Sequence, residues 1–410
     1  MWQFNYGEWT EAYVFLRLLG GGRVYGADKD FNKNEKVYLD VVEITRHENN
    51  DILVFKRNDS KDGADAFKNG ALFRFMAYAE LISQATSLFD AMKGVTSGNR
   101  KFSVESTEVY LKELCFSQPK VPKLPDEVAE EYGKKADIIM KTKDHIDQSI
   151  STIGFSIKSH LGAASTLFNS APASGMIYEI EGCTDDIMYE INGNQISSET
   201  GMIDFIKSHP SIGLKFVGTS DDFAANLQLI DLQMVEVLSC IVLIQIGYYE
   251  RADSSKVKDL VKKVEELNPI KEVKRPESWY KAKVKQFLYD TFAGMTATNA
   301  WSGEKQLSGG YIDVSTDGEI LFYRAVSDEV FNTYLYEHTF IDRPSRGINK
   351  SIANIEAKAY FEGRSATAEE IRAVSYGSNG KKKPKKGDWG YVYKNDGRYY
   401  ININFQVRFL

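Results

Sequence analysis

The chain has 410 residues, a formal net charge of −6 and the mixed composition of an ordinary water-soluble globular protein, which allows two domains or one large elaborated one. Three widely spaced cysteines without a CxxC pattern fit reduced core thiols rather than a disulfide framework, and five histidines without an HxxxH or HxH cluster argue against a zinc site. The net negative charge argues mildly against nucleic acid as a partner, although a site-specific DNA enzyme can confine its basic surface to a cleft.

Residues 7–19 (GEWTEAYVFLRLL) place Trp9, Tyr13, Leu16 and Leu19 at helical spacing, and glycines 20–22 stop that helix. The opening MWQFNYGEWTE lacks the basic and apolar regions of a signal peptide, which fits a cytoplasmic chain. Residues 24–26, 37–45 and 52–56 read as strands with turns between them. The pattern then changes to helix over 65–92, with Phe73, Met76, Leu81 and Leu88 on one side, and a second helix follows over 106–114. Glu11 and Glu108 are the acids of interest on these helices. An exposed helix acid is the ordinary fate of either, and Glu108 reads as part of a solvated face. Three prolines within 118–126 mark a connector.

Two short apolar runs follow, 136–140 and 153–157, separated by a polar turn, which is how a β-hairpin reads. Asp137 sits in the first run and Lys158 ends the second. Each is compatible with a solvated strand end. Together, on neighbouring strands, they are also the minimum kit for metal-dependent phosphodiester hydrolysis. The carboxylate holds Mg²⁺, which polarises the phosphate and lowers the pKa of a bound water, and the ammonium stabilises the hydroxide and the developing charge. The nuclease pattern PD-(D/E)xK asks for an acid two residues before the lysine, where this chain has Ser156.

Beyond the hairpin, 178–181 and 188–191 read as strands around an Asn192-Gly193-Asn194 turn. Residues 222–249 read as the longest helix, with Asp221 and Asp222 as caps; its apolar run 237–246 is buried and too short to span a bilayer. A surface helix over 256–274 comes next. The helix over 279–288 mixes apolar and basic residues, as a solvated face or a phosphate contact would. The last hundred residues turn β-rich. Strands 309–314 and 319–324 flank a Thr316-Asp-Gly318 turn, a helix covers 328–336, and a terminal hairpin joins 389–394 to 398–409. The turn DRPSR (342–346) carries Arg343 and Arg346. It is either an ordinary surface turn or a proline-stiffened platform from which guanidinium groups read base edges. The lysine run KKKPKK (381–386) is a solvated loop or a phosphate clamp.

Several strings together resemble the HpaII-like family of Type II restriction endonucleases, in the PD-(D/E)xK nuclease superfamily. They are GEWTE (7–11), KADI (135–138), GFSIKSHLG (154–162), STLFN (165–169), GGYIDV (309–314), GEILFY (318–323), FIDRPSR (340–346) and NINFQVRF (402–409). The resemblance lapses between 347 and 388, where this chain carries a long insertion. It implies an α/β fold with a PD-(D/E)xK-type mixed central sheet flanked by helices, helical insertions and a β-rich C-terminal region. The nuclease core would span 1–215, with a helical insertion about 65–125, and recognition and dimerisation would fall in 216–410. It further implies a Mg²⁺-dependent endonuclease acting on double-stranded DNA as a homodimer, alongside a cognate DNA methyltransferase. Asp137 and the main-chain carbonyl of Ile157 would ligate the metal, and Lys158 would activate the water. Ser156 stands in the place of the second acid, so Glu11 is expected to supply the missing carboxylate. Asn169, Arg343 and Arg346 are expected to contact DNA. The competing reading is a DNA-binding module without catalysis, or a structural partner of a nuclease. The missing acid favours it, and retention of both Asp137 and Lys158 speaks against it.

Overall fold

The computed structural model describes residues 1–409 except 96–100, 163, 165, 194–198, 305–308, 325–328, 343–347 and 377–389. The chain folds into two compact units, one of residues 1–165 with 305–334, the other of 166–304 with 335–410.

In the first unit, helix α1 (Tyr6–Gly21) starts at a capping box in which Asn5 and Glu8 exchange hydrogen bonds of 3.0 Å. It is apolar nearly all round, with Trp9, Ala12, Tyr13, Val14, Phe15, Leu16, Leu18 and Leu19 all buried, so it is a core helix rather than a surface one. Gly22 ends it at φ +75°, a left-handed position that favours glycine. Arg57 donates to the carbonyls of Leu19 and Gly20 and so satisfies the end of the helix.

Seven strands follow in part: β1 (Arg23–Ala27), β2 (Lys33–Glu48), β3 (Asp51–Asn58), β4 (Gly63–Lys68), β5 (Ala71–Ala77), β6 (Ile138–Asp144) and β7 (Ile150–Ser159). With Gly310–Val314 and Ile320–Arg324 they form a mixed nine-stranded sheet. Its order is β1, Ile320–Arg324, Gly310–Val314, β7, β6, β2, β3, β4, β5. Because β1 also pairs with the first half of β2, six of these strands close into a barrel-like ring. Two pairings are parallel, β1 with Ile320–Arg324 and β7 with Gly310–Val314. Every strand of the ring contributes to one core with α1 and with α2 (Tyr78–Lys93).

The expected helix over 65–92 is wrong in its first half, where β4 and β5 form a hairpin and the helix begins only at Tyr78. Asn69 and Gly70, at φ +49° and +84°, make the tight turn between them. Ala64, Ala66 and Met76 reach the core by strand alternation, which the spacing of Phe73 and Met76 had mimicked as a helical face.

The second unit holds a four-stranded sheet in the order Gly213–Gly218, Met176–Glu181, Arg398–Ile403, Val392–Asn395, and a three-stranded sheet of Thr339–Asp342, Gln406–Phe409 and Thr166–Phe168. Residues 188–191 are not a strand. They lie in the helix Asp185–Asn192, whose N-cap Thr184 accepts from the Ile187 N–H at 3.3 Å, and Gly193 follows its end. The long helix expected over 222–249 is two helices, Asp221–Gln228 and Met234–Ile246. The break falls at 229–233; Asn226, within the first helix, donates to the carbonyls of Thr296 and Asn299, each at 2.8 Å. Asp221 and Asp222 occupy the first turn; the cap position itself is Ser220. Asn268, at φ +41°, ends the surface helix early, as Val257–Leu267. The second arm of the terminal hairpin breaks at Asn404 and Phe405, and its last strand joins the other sheet. Within the 347–388 stretch the helices Ile348–Phe361 and Ala368–Ser375 are described, and the lysine run 381–386 lies outside the described residues. Among the described residues no helix is long and apolar enough to cross a membrane.

Candidate active site

The hairpin of β6 and β7 is longer than its apolar runs, pairing Ile138 with Phe155 and continuing to Lys143 with Ile150. On its other side β7 pairs with Gly310–Val314, placing Ile157 beside Ile312 and Lys158 beside Asp313. Phe155 and Ile157 point into the core, and strand alternation puts Ser156 and Lys158 on the opposite face. Asp137 lies one residue before β6. Its N–H donates to the Phe155 carbonyl at 2.8 Å, and its carboxylate Oδ2 accepts from the Ile157 N–H at 2.8 Å and from the Ser156 hydroxyl at 3.1 Å. The Lys158 ammonium reaches Ser156 Oγ at 3.4 Å. Ser156 thus orients the aspartate instead of adding a second carboxylate. The chain before Asp137 packs hard on β7. A Cβ on Gly154 would meet the Tyr132 carbonyl oxygen at 2.3 Å, so glycine is required there by close approach.

Glu11, the expected second acid, lies on α1. Glu11 is half-buried, and its Oε2 accepts from the Val121 N–H at 2.7 Å, while one turn earlier Glu8 holds the Lys120 ammonium at 2.7 Å. Burial pushes the Glu11 carboxyl well above the usual range, and the nearby Asp137 charge adds to that. The Val121 N–H, Arg46 and Lys120 pull the other way. Asp137 is also raised by burial, against the opposing pull of Lys158, the Ile157 N–H, Ser156 and Lys135. The structure therefore brings Glu11, Asp137, Ser156, Ile157 and Lys158 together.

It adds Lys135, which the sequence reasoning missed. Burial pushes this ammonium down to about 8, with Lys158 adding to the shift and Asp137 opposing it. Lys135 lies in the KADI string, in a turn two residues before Asp137. Val121, a backbone donor, carries no side-chain signal. Glu108 is not on a solvated face: it is 4 % exposed and accepts from the Trp2 N–H and from Lys112 at 2.6 Å, which anchors the N-terminus. Asn169 is exposed in the second unit, and Arg343 and Arg346 lie outside the described residues.

The donor set suits a hard divalent cation. Glu11 and Asp137 are two half-buried carboxylates, each with one oxygen fixed by a backbone N–H, and the Asp137 charge acts on Glu11. Among the described residues no cluster of three His, Cys, Asp or Glu side chains exists. Two carboxylates completed by main-chain oxygen, water and substrate is the way Mg²⁺ is commonly bound.

A carboxyl whose folded pKa is raised favours the folded state below its unfolded pKa and loses that contribution as pH rises through the folded one. In the absence of divalent metal, Glu11→Gln should therefore melt at a higher temperature than the parent at pH 8. The gap should close as pH falls towards the ordinary carboxyl range of about 4. Calorimetry in EDTA across that pH range measures it, and a variant less stable than the parent at pH 8 would contradict the buried-carboxylate picture.

A family model described as "HpaII restriction endonuclease" matches residues 5–362. The chain is 27 % identical, over 99 % of its own length and 98 % of the relative's, to the "Type II restriction enzyme HpaII" of Haemophilus parainfluenzae. No solved structure matches it. A family match that begins ahead of Glu11 and runs past the strand beside β7 covers every part of the carboxylate–lysine cluster, and the chain belongs to the HpaII restriction endonuclease family.

Proposed function

We propose that the protein is a site-specific, Mg²⁺-dependent Type II endonuclease that hydrolyses phosphodiester bonds in double-stranded DNA, with a PD-(D/E)xK-type active site. The observation that carries this reading is the convergence of Glu11, from the first helix, on Asp137 and Lys158 of the β6–β7 hairpin. In this reading Glu11 replaces the acid that Ser156 lacks.

Asp137, Glu11 and the Ile157 carbonyl would hold the cation. Bound there, it supplies charge that polarises the scissile phosphate and acidifies water. Lys158 orients the attacking water and stabilises the negative charge that develops on the phosphate. Ser156 and the Ile157 N–H fix the Asp137 carboxylate through one oxygen, which would leave the other for the cation. Asp137→Ala and Lys158→Ala should each abolish cleavage of plasmid DNA in Mg²⁺ while leaving specific DNA binding largely intact. EDTA should stop the parent enzyme. Cutting within about tenfold of the parent by either variant would remove that residue from the chemistry.

A double-strand break at a palindrome is matched by a two-fold protein, so the active form is read as a homodimer, paired in its host with a methyltransferase that protects the same site. A strictly one-to-one DNA complex in sedimentation, nicking one strand at a time, would exclude the dimer.

Base recognition is assigned to Arg343 and Arg346, with Asn169 as a further DNA-contact candidate. If Arg346 pairs with a guanine, Arg346→Ala should lose roughly 1–3 kcal/mol at that base and relax specificity there. Neutralising the lysines of 381–386 should instead weaken binding to all sequences and flatten its salt dependence. Sequencing the ends of digested DNA distinguishes these outcomes, and an unchanged site preference in Arg346→Ala would move recognition elsewhere.

A further inference from the structure

Behind the carboxylates, β2 carries a buried ion pair that the chemistry above does not use. Arg46 and Glu48 are 4 % and 3 % exposed, and the Arg46 Nε donates to Glu48 Oε1 at 2.6 Å. Arg46 spends its other donors on one short stretch of the proline-rich connector. Nη2 donates to the Gln118 carbonyl at 2.8 Å and to the Lys120 carbonyl, and Nη1 reaches the Pro119 carbonyl at 3.5 Å. The guanidinium lies 3.9 Å from the centre of the Phe116 ring. Glu48 grips the same stretch by accepting from the Ser117 N–H at 3.1 Å and from its hydroxyl. One ion pair therefore collects the backbone of residues 117–120. The next residue is Val121, whose N–H is the donor on Glu11.

A buried ion pair contributes little net stability compared with an apolar pair of the same shape, because removing two charges from water costs about what their attraction returns. Stability alone therefore does not account for two charges here. What this pair does that an apolar pair does not is fix three carbonyls and one amide of a loop at defined places. The Pro119 and Pro122 rings hold φ on either side and offer no N–H of their own, so Val121 is positioned to present its donor.

We propose that Arg46 is a positioning residue for the metal site: through the connector it sets the Val121 N–H, and that N–H aims the Glu11 carboxylate. This rests on the reading of Glu11 as a cation ligand. Arg46 touches neither substrate nor cation. Its charge also acts on Glu11 directly, favouring the ionised carboxylate against the effect of burial.

The test is Mn²⁺ binding to the metal-free, DNA-free protein, followed by loss of the free-ion signal in electron paramagnetic resonance. The variants are Glu11→Gln, Arg46→Lys, the double replacement Arg46→Met with Glu48→Met, and Val121→Pro. The double replacement removes both charges together, so neither is left buried and unpaired. Supporting groups behind a metal ligand typically alter affinity roughly 10–100-fold. The double replacement and Val121→Pro are each expected to weaken Mn²⁺ by that factor, with DNA binding in EDTA unchanged. Arg46→Lys, which keeps the charge and loses the fork, is expected to fall between them and the parent. If Glu11→Gln weakens Mn²⁺ while the double replacement and Val121→Pro bind it like the parent, the connector does not position Glu11 and the proposal is wrong. Should Glu11→Gln itself bind Mn²⁺ normally, the reading of Glu11 fails first and takes the proposal with it. If the double replacement does not fold, Arg46→Lys and Val121→Pro decide the matter by the same measurement.

Discussion

Two like-charged carboxylates held close together in a half-dry place repel each other, and burial makes each of them reluctant to ionise. Glu11 and Asp137 stand in that relation. The surrounding structure acts to hold them there. Asp137 is gripped by its own strand partner through Phe155, Ile157 and Ser156. Glu11 is carried on a helix that is capped at its N-terminus by Asn5, covered at its C-terminus by Arg57 and buried on almost every side. A helix with so few exposed positions cannot rotate to relieve the repulsion without exposing Trp9, Tyr13 or Phe15. The core thus supplies the force that keeps the acids together.

Much of this was legible because it is local. The α1 spacing of Trp9, Tyr13, Leu16 and Leu19 is a run of single turns, and all four residues are buried as that spacing implied. The β6–β7 hairpin shows in two apolar runs and a polar turn. Where local signals competed, the reading failed. Residues 65–77 alternate as strands, yet Phe73, Met76 and Leu81 also fit a helical spacing, and only the Asn69–Gly70 turn distinguishes the two. Residues 188–191 look like a strand until Thr184 is recognised as a helix cap. The break at 229–233 was missed because apolar residues continue across it, although Asp231, whose carboxylate accepts from the Gln233 N–H at 3.0 Å, sits between the two helices.

The site divides in the same way. Asp137 and Lys158 are near neighbours in sequence and could be paired by motif. The contribution of Glu11 depends on a helix more than a hundred residues upstream meeting the hairpin, and resemblance pointed to it where spacing did not. Lys135 and Val121 were missed for different reasons. The lysine stood in the KADI string, where only Asp137 was given a role. The valine acts through its backbone, which every residue type possesses.

The closed ring has a consequence for the order of events during synthesis. β7, the strand that carries Ser156 and Lys158, obtains its second neighbour only from Gly310–Val314. At a translation rate of about 5–20 residues per second, that neighbour leaves the ribosome roughly 8–30 s after β7. Until then β7 has an open edge and the ring is a curved fragment. A nascent chain therefore carries all the residues of the carboxylate–lysine cluster well before it can assemble the sheet that aligns them. Competence is delayed until about three quarters of the message has been read.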